Sequence, residues 1–162
     1  MPTVLITDDE LDHRELLTLA LRRLGYDVVT ASDSVGALDL LHHGGIDAAL
    51  IDVRMPGLSG IELCRLIRND PDYQDLPIMV VSADVHRHQI MTALHAGADD
   101  YLPKPFSRAE LTERLEDLLR QSHAAAFRSA TAARAALAAV AQAVPAAPAI
   151  PAASPVETKK TA

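Results

Sequence analysis

Five short apolar runs recur between residues 3 and 102, and each is followed by a stretch with helical spacing. The runs fall at residues 3–7, 27–30, 48–51, 78–81 and 100–102. A run that is apolar at successive positions hides both of its faces, which suits a strand of a parallel sheet covered by helices on either side. The intervening stretches carry helix punctuation. The first has Leu16, Leu17, Ala20, Leu21 and Leu24 as its apolar stripe, with Gly25 as a stop. The second runs from about Ser34 to Gly44-Gly45. The third opens with Ser59-Gly60-Ile61-Glu62, a capping box. The fourth covers residues 86–96, with Ile90, Met91 and Leu94 turned inward and Gly97 as its stop. The fifth opens with a second capping box, Ser107-Arg108-Ala109-Glu110, and buries Leu111, Leu115 and Leu118. Strict alternation of strand and helix implies right-handed crossovers and an α/β doubly wound sandwich. Periodicity alone does not give the strand order.

Composition narrows the class further. Hydrophobic residues make up 49% of the 162, yet there is no Trp and only two Phe and three Tyr, so aliphatic side chains must build the core. The one cysteine, Cys64, excludes an intramolecular disulfide and a Cys-rich zinc site, and among Ile61, Leu63 and Ile67 it reads as an inert packing thiol. No basic segment precedes the first apolar run, so no secretory signal is expected, and the reducing compartment fits a cytoplasmic protein. The longest charge-free stretch, 135–156, is mostly Ala and holds four prolines, which argues against a membrane span.

Charge locates a boundary. The net charge is −7, but residues 124–162 carry +3, leaving −10 on the first 123. An acidic body argues against nucleic-acid binding. Residues 1–122 are therefore read as the domain. No Gly or Pro occurs from residue 107 to 144, and Ala has the highest helix propensity, so 123–144 is expected to extend the fifth helix. Pro145 should end that helix, and the Pro/Ala-rich 145–162 is expected to be a disordered tail.

In open α/β sheets, ligands bind outside the carboxyl ends of the strands. The notable polar residues fall there. Asp8-Asp9-Glu10 follows the first run, Asp52 the third, Ser82 the fourth and Lys104-Pro105-Phe106 the fifth. If the first and third strands are neighbours, three carboxylates converge on one crevice. Clustered negative charge is costly without a cation, and oxygen ligands of this kind suit Mg²⁺. A lysine and a serine opposite them would complete a phosphoryl-transfer site with a carboxylate nucleophile. Each feature alone has an ordinary explanation: an acidic run before a helix is a cap, Asp52 through Gly57 is a turn, Ser82-Ala83-Asp84 caps the fourth helix. Their joint placement, each after a different strand, favours the site.

Residues 1–122 resemble the receiver domain of two-component response regulators, in the single-domain form that chemotaxis regulators take. The resemblance is carried by Val4-Leu5-Ile6-Thr7-Asp8-Asp9-Glu10, Leu50-Ile51-Asp52-Val53-Arg54-Met55-Pro56-Gly57, Val80-Val81-Ser82-Ala83, and Ala96-Gly97-Ala98-Asp99-Asp100-Tyr101-Leu102-Pro103-Lys104-Pro105-Phe106. It implies a flavodoxin-like five-stranded parallel sheet of order 2-1-3-4-5 with five helices. By position, Asp52 is the phosphoacceptor, served by a histidine kinase or a histidine phosphotransfer protein. Asp8, Asp9, Asp52 and the backbone carbonyl of Arg54 would hold Mg²⁺. Ser82 and Lys104 would bind the phosphoryl group, with Lys104 first paired to an ionised Asp52. Ser82 and Tyr101 would form the switch, and the Lys104-Pro105 bond is expected to be cis. Arg54 and Asp84 match the positions that tune the lifetime of the phosphorylated state, and their opposite charges suggest a pair across the mouth of the site.

The resemblance also implies output through protein contact on the face of the fourth helix, fifth strand and fifth helix, as a monomer or a phosphorylation-dependent dimer. Residues 123–162 are too few for a linker and a DNA-binding domain, so a relay protein without one is expected, meeting an unknown downstream protein and no membrane. It is a receiver rather than an enzyme acting on other substrates. The alternative is a scaffold or adaptor whose tail carries the output. His86 and His88, two residues apart, do not share a helix face and are read as solvated or partner-facing. His13 and His42 lack obvious ligand company.

Overall fold

The computed structural model describes residues 1–122. The expectations for 123–144 and 145–162 lie outside the described residues. Five strands alternate with five helices: β1 (Thr3–Thr7), α1 (Leu11–Arg23), β2 (Asp27–Ala31), α2 (Ser34–His43), β3 (Ala48–Asp52), α3 (Gly60–Asn69), β4 (Ile78–Ser82), α4 (Arg87–His95), β5 (Asp100–Pro103) and α5 (Arg108–Ser122). All pairings are parallel and the order is β2-β1-β3-β4-β5. Strands β2 to β5 each run one residue past their apolar run, because parallel pairing continues through Ala31, Asp52, Ser82 and Pro103.

The period of two along each strand divides the core between two faces. Leu5, Ala49, Ile51, Ile78 and Val80 pack beneath α2, α3 and α4, against Leu41, Leu63, Cys64, Ile67 and Ala93. Val4, Ile6, Leu50, Met79, Val81 and Leu102 pack beneath α1 and α5, against Leu17, Leu21, Leu111, Leu115 and Leu118. In α1 the expected stripe is too wide. Leu17 and Leu21 are buried but Leu16 is 67% exposed. One residue turns a helix by about 100°, which carries Leu16 off the sheet-facing arc defined by Leu17 and Leu21. In α4 the fully buried residue is Ala93, whereas Ile90, Met91 and Leu94 are only half-buried. The helix approaches the sheet on its small residue and leaves its larger ones on the flanks.

Helix ends follow the local sequence. In α3, Ser59 accepts from the Glu62 amide while the Glu62 side chain accepts from the Ser59 amide. Ser107 and Glu110 do the same for α5, at 3.1 and 3.0 Å. Asp33 caps α2 by accepting from the Gly36 amide at 2.7 Å. No described helix is long and apolar enough to cross a membrane.

Candidate functional site

Register brings the polar strand ends together. Thr7 of β1 lies opposite Ile51 of β3, so Asp8 and Asp52 emerge side by side, and both follow the phase of Ile6 and Leu50 toward the α1/α5 face. The Lys104 amide donates to the Ser82 carbonyl at 2.8 Å, which prolongs the β4–β5 ladder and holds Lys104 beside that pair. Lys104-Pro105 is cis.

Asp8, Asp9 and Asp52 each offer a carboxylate oxygen, and these oxygens lie within 4.8 Å of one another. Asp8 is 2% exposed, Asp52 is half-buried and Asp9 is open to solvent. The ordinary explanation as a helix cap fails here: the N-cap of α1 is Glu10, and no side chain caps it. Asp8 Oδ1 instead accepts from the Glu10 amide at 2.9 Å, and the Asp8 carbonyl accepts from Arg14 Nη1 at 2.7 Å. Burial raises the pKa of Asp52; the Lys104 ammonium and the Arg54 amide oppose that rise, and the charges of Asp8 and Asp9 reinforce it. A hard, all-oxygen donor set with one member open to solvent fits Mg²⁺, whose charge would relieve this crowding.

The expected ion pair of Lys104 with Asp52 is present, and Asp8 is a second, nearer partner. Lys104 Nζ donates to Asp8 Oδ2 at 3.1 Å and stands 3.9 Å from Asp52 Oδ2. Lys104 is therefore anchored on Asp8, while its charge also favours the ionised Asp52 carboxylate without overcoming the effect of burial. Its other close neighbour, His13 Nδ1 at 3.3 Å, also lies 3.3 Å from Glu10 Oε2 and 3.6 Å from Asp8 Oδ2. His13 therefore sits beside carboxylates but outside the cluster of candidate metal ligands. His42 Nε2 is 3.7 Å from Asp70 Oδ2, and its ring meets Tyr73 edge-on.

Across the crevice, Ser82 is 2% exposed and its Oγ accepts from the Asp84 amide at 3.2 Å. Tyr101, on β5, is 6% exposed, and its hydroxyl donates to the Asp84 carbonyl at 2.5 Å. Burial raises its pKa. Asp84 Oδ2 is 3.6 Å from Arg54 Nη2, so the two charges do face each other at the mouth. Asp84 Oδ1 accepts from both the amide of His86, at 2.9 Å, and its ring Nδ1, at 2.7 Å. His86 is thus not merely solvated, and it, not Ser82 or Asp84, is the N-cap of α4. The Asp-x-His spacing was a legible sign of a side chain turning back on its own loop. Gly60, also unremarked, packs directly behind Asp52; a glycine at the first helical position, straight after a cap, was the available signal.

Comparison with known proteins agrees with this geometry. The sequence profile of the response regulator receiver domain matches residues 4–116. The response regulator MprA of Mycobacterium sp. (strain KMS) is 45% identical over 119 residues, which cover 74% of this chain and 51% of that protein. The chain spans about half the length of the curated relatives it matches. Among solved structures, a putative response regulator from Chloroflexus aurantiacus is 37% identical with a TM-score of 0.71, covering 74% of this chain and 99% of that one. The response regulator TrrA of Thermotoga maritima, solved in complex with Mg(2+)-BeF, is 35% identical with a TM-score of 0.67, covering 74% of this chain and 100% of that one.

Proposed function

This chain belongs to the response regulator receiver family, and from that membership we propose that Asp52 accepts a phosphoryl group from a histidine kinase or a histidine phosphotransfer protein. The observation that carries the proposal is the convergence of Asp8, Asp9 and Asp52, with Lys104 facing them. An Asp52 oxygen attacks phosphorus in line, a P–O bond forms as the donor's P–N bond breaks, and the imidazole leaves. The three carboxylates and the Arg54 carbonyl would hold Mg²⁺, which would supply neutralising charge to the carboxylates and the phosphoryl oxygens. Lys104, hydrogen-bonded to Asp8 and not to Asp52, is free to turn its ammonium onto a phosphoryl oxygen. The Ser82 hydroxyl donates to another. Because its Oγ also holds the Asp84 amide, a phosphoryl group drawing on Ser82 bears on the loop that holds Tyr101. The signal then leaves through the α4–β5–α5 face to a downstream protein in the cytoplasm. Arg54 and Asp84, across the mouth, slow the approach of water to the acyl phosphate.

The test is Asp52→Asn, an isosteric change that removes the nucleophile. With a cognate kinase or a small phosphodonor such as acetyl phosphate, stable phosphate incorporation is expected to disappear while the circular dichroism spectrum is kept. Undiminished incorporation in the variant, mapped away from a neighbouring residue, overturns the assignment.

A further inference from the structure

Asp84 is the meeting point of everything that faces the phosphoryl pocket from the β4–α4 side. Its amide holds Ser82 Oγ, its carbonyl holds the Tyr101 hydroxyl, and its carboxylate faces Arg54 and His86. Ser82 and Tyr101 therefore both depend on where the Asp84 backbone lies. The Asp84 side chain is only 16% exposed, and both hydrogen bonds onto its carboxylate come from one residue. His86 reaches Asp84 Oδ1 twice, through its amide at 2.9 Å and its ring at 2.7 Å. Arg54 is 81% exposed, and at 3.6 Å it is beyond hydrogen-bond distance.

We propose that His86 is a positioning residue for the phosphoryl site: by clamping the Asp84 carboxylate it holds the β4–α4 loop in the arrangement that fixes Ser82 and keeps Tyr101 inward. The proposal rests on the phosphoacceptor reading above for the identity of the ligand, but the clamp itself is a property of the ligand-free chain. A carboxylate can only accept, so ring Nδ1 must carry the proton in this contact. Both the neutral Nδ1–H tautomer and the imidazolium satisfy that, and the clamp works in either charge state. The His86 amide and ring hold the Asp84 carboxyl below its ordinary range, in keeping with two hydrogen bonds onto the ionised form. The ring is 87% exposed, so it is reached by solvent and its effect is graded. A loop that is already arranged does not have to be ordered when the phosphoryl group arrives. Where only a fraction of the molecules has the competent arrangement, the apparent affinity falls by that fraction.

The test titrates the full chain with beryllofluoride in the presence of Mg²⁺. The readout is ¹⁹F NMR of fluorotyrosine-labelled protein, with Tyr101→Phe to assign the resonance of Tyr101. His86→Ala keeps the amide and loses the ring. Beryllofluoride should bind it about three- to five-fold more weakly than wild type, the Tyr101 resonance of the ligand-free protein should move, and helical content should not change. His86→Asn can return an N–H donor to Asp84 and is expected to bring affinity back to within about two-fold of wild type. Wild-type affinity together with an unmoved Tyr101 resonance in His86→Ala overturns the clamp. So does a loss in His86→Ala that His86→Asn does not relieve. Failure of the phosphoacceptor reading looks different: wild type would not bind beryllofluoride, and the ligand-free Tyr101 resonance would still decide the clamp.

Discussion

Asp52 stands on the last residue of β3, and the chain behind it leaves room for nothing. The Gly60 amide donates to the Val53 carbonyl at 2.9 Å, and a Cβ at Gly60 would run into the backbone carbonyl of Asp52 and, at 2.9 Å, into Ile51 Cγ2. These atoms are backbone and packed core, which cannot swing aside. Gly60→Ala is therefore expected to push the start of α3 away from the end of β3, at about 1–3 kcal/mol, the usual cost of overpacking. Because the displaced atoms belong to Asp52, phosphate incorporation should slow by more than the stability loss explains, since small misplacements of a reacting group are costly. Urea unfolding and the initial rate of phosphorylation measure the two effects, and a variant with wild-type values in both would show that the strand end yields. At this scale the site was partly legible. Asp8, Asp9, Asp52, Ser82 and Lys104 each end or follow an apolar run, so the strand pattern alone collected them. The hydrogen bond of Lys104 to Asp8 and the approach of His13 were not legible. They depend on side-chain rotamers and on the distance between chain segments, neither of which leaves a period in the sequence.

Among the elements, the α3–β4 and α4–β5 connections are tied by a single arginine. Arg68, in the last turn of α3, donates to the carbonyls of Gly97, Gln74 and Leu76 at 2.9, 3.0 and 2.6 Å and pairs with Asp99 Oδ2 at 2.9 Å. The same Asp99 oxygen accepts from the Ile78 amide at the start of β4. Gly97, at φ 110°, has no Cβ, and its empty side is filled by the Arg68 stem. Burial raises the Asp99 pKa, against the opposing Ile78 amide and Arg68 guanidinium. Removing Arg68 takes the donor from the part-buried Gly97 and Leu76 carbonyls and leaves a partly buried carboxylate without its cation, so Arg68→Ala is expected to cost about 2–4 kcal/mol at neutral pH. The pH dependence has a definite sign. A carboxyl whose folded pKa lies above its unfolded one binds more protons when folded, so stability falls as pH rises from the unfolded value through the folded one. Loss of Arg68 raises the folded value further. The deficit of Arg68→Ala should therefore be largest above that value and shrink in acid, where Asp99 is protonated in both proteins. A pH series of urea midpoints checks this, and a deficit independent of pH would assign the whole effect to the carbonyls. Element positions themselves were legible because they are local. Both capping boxes, the alternation and the Leu111, Leu115 and Leu118 stripe all reappear in the fold. The exposure of Leu16 and the half-burial of Met91 and Leu94 were not legible, because they are set by how closely each helix approaches the sheet.

At the scale of the whole chain, the strand order was beyond the reach of periodicity, since any order of five buried strands reads alike along the sequence; the family resemblance supplied it. Charge and composition set only the expectation of a boundary, with −10 on the first 123 residues and +3 on the rest. Both faces of the described sheet are already covered, one by α2, α3 and α4 and the other by α1 and α5. Among the described residues the last buried core residue is Leu118, and every residue assigned to the phosphoryl site lies between Asp8 and Lys104. A chain ending at Ser122 is accordingly expected to unfold cooperatively, with a midpoint within about 4 °C of the full chain, equivalent to roughly 1 kcal/mol or less for a domain of this size. Its uptake of phosphate from a small donor should match the full chain within about two-fold. Salt should help the shorter chain slightly more, because it loses three net positive charges and repels itself more strongly. Thermal unfolding at two ionic strengths and phosphorylation of both lengths test this together. A truncated chain that melts without cooperativity, or that folds but no longer takes phosphate, would mean that residues beyond 122 complete the core or the site.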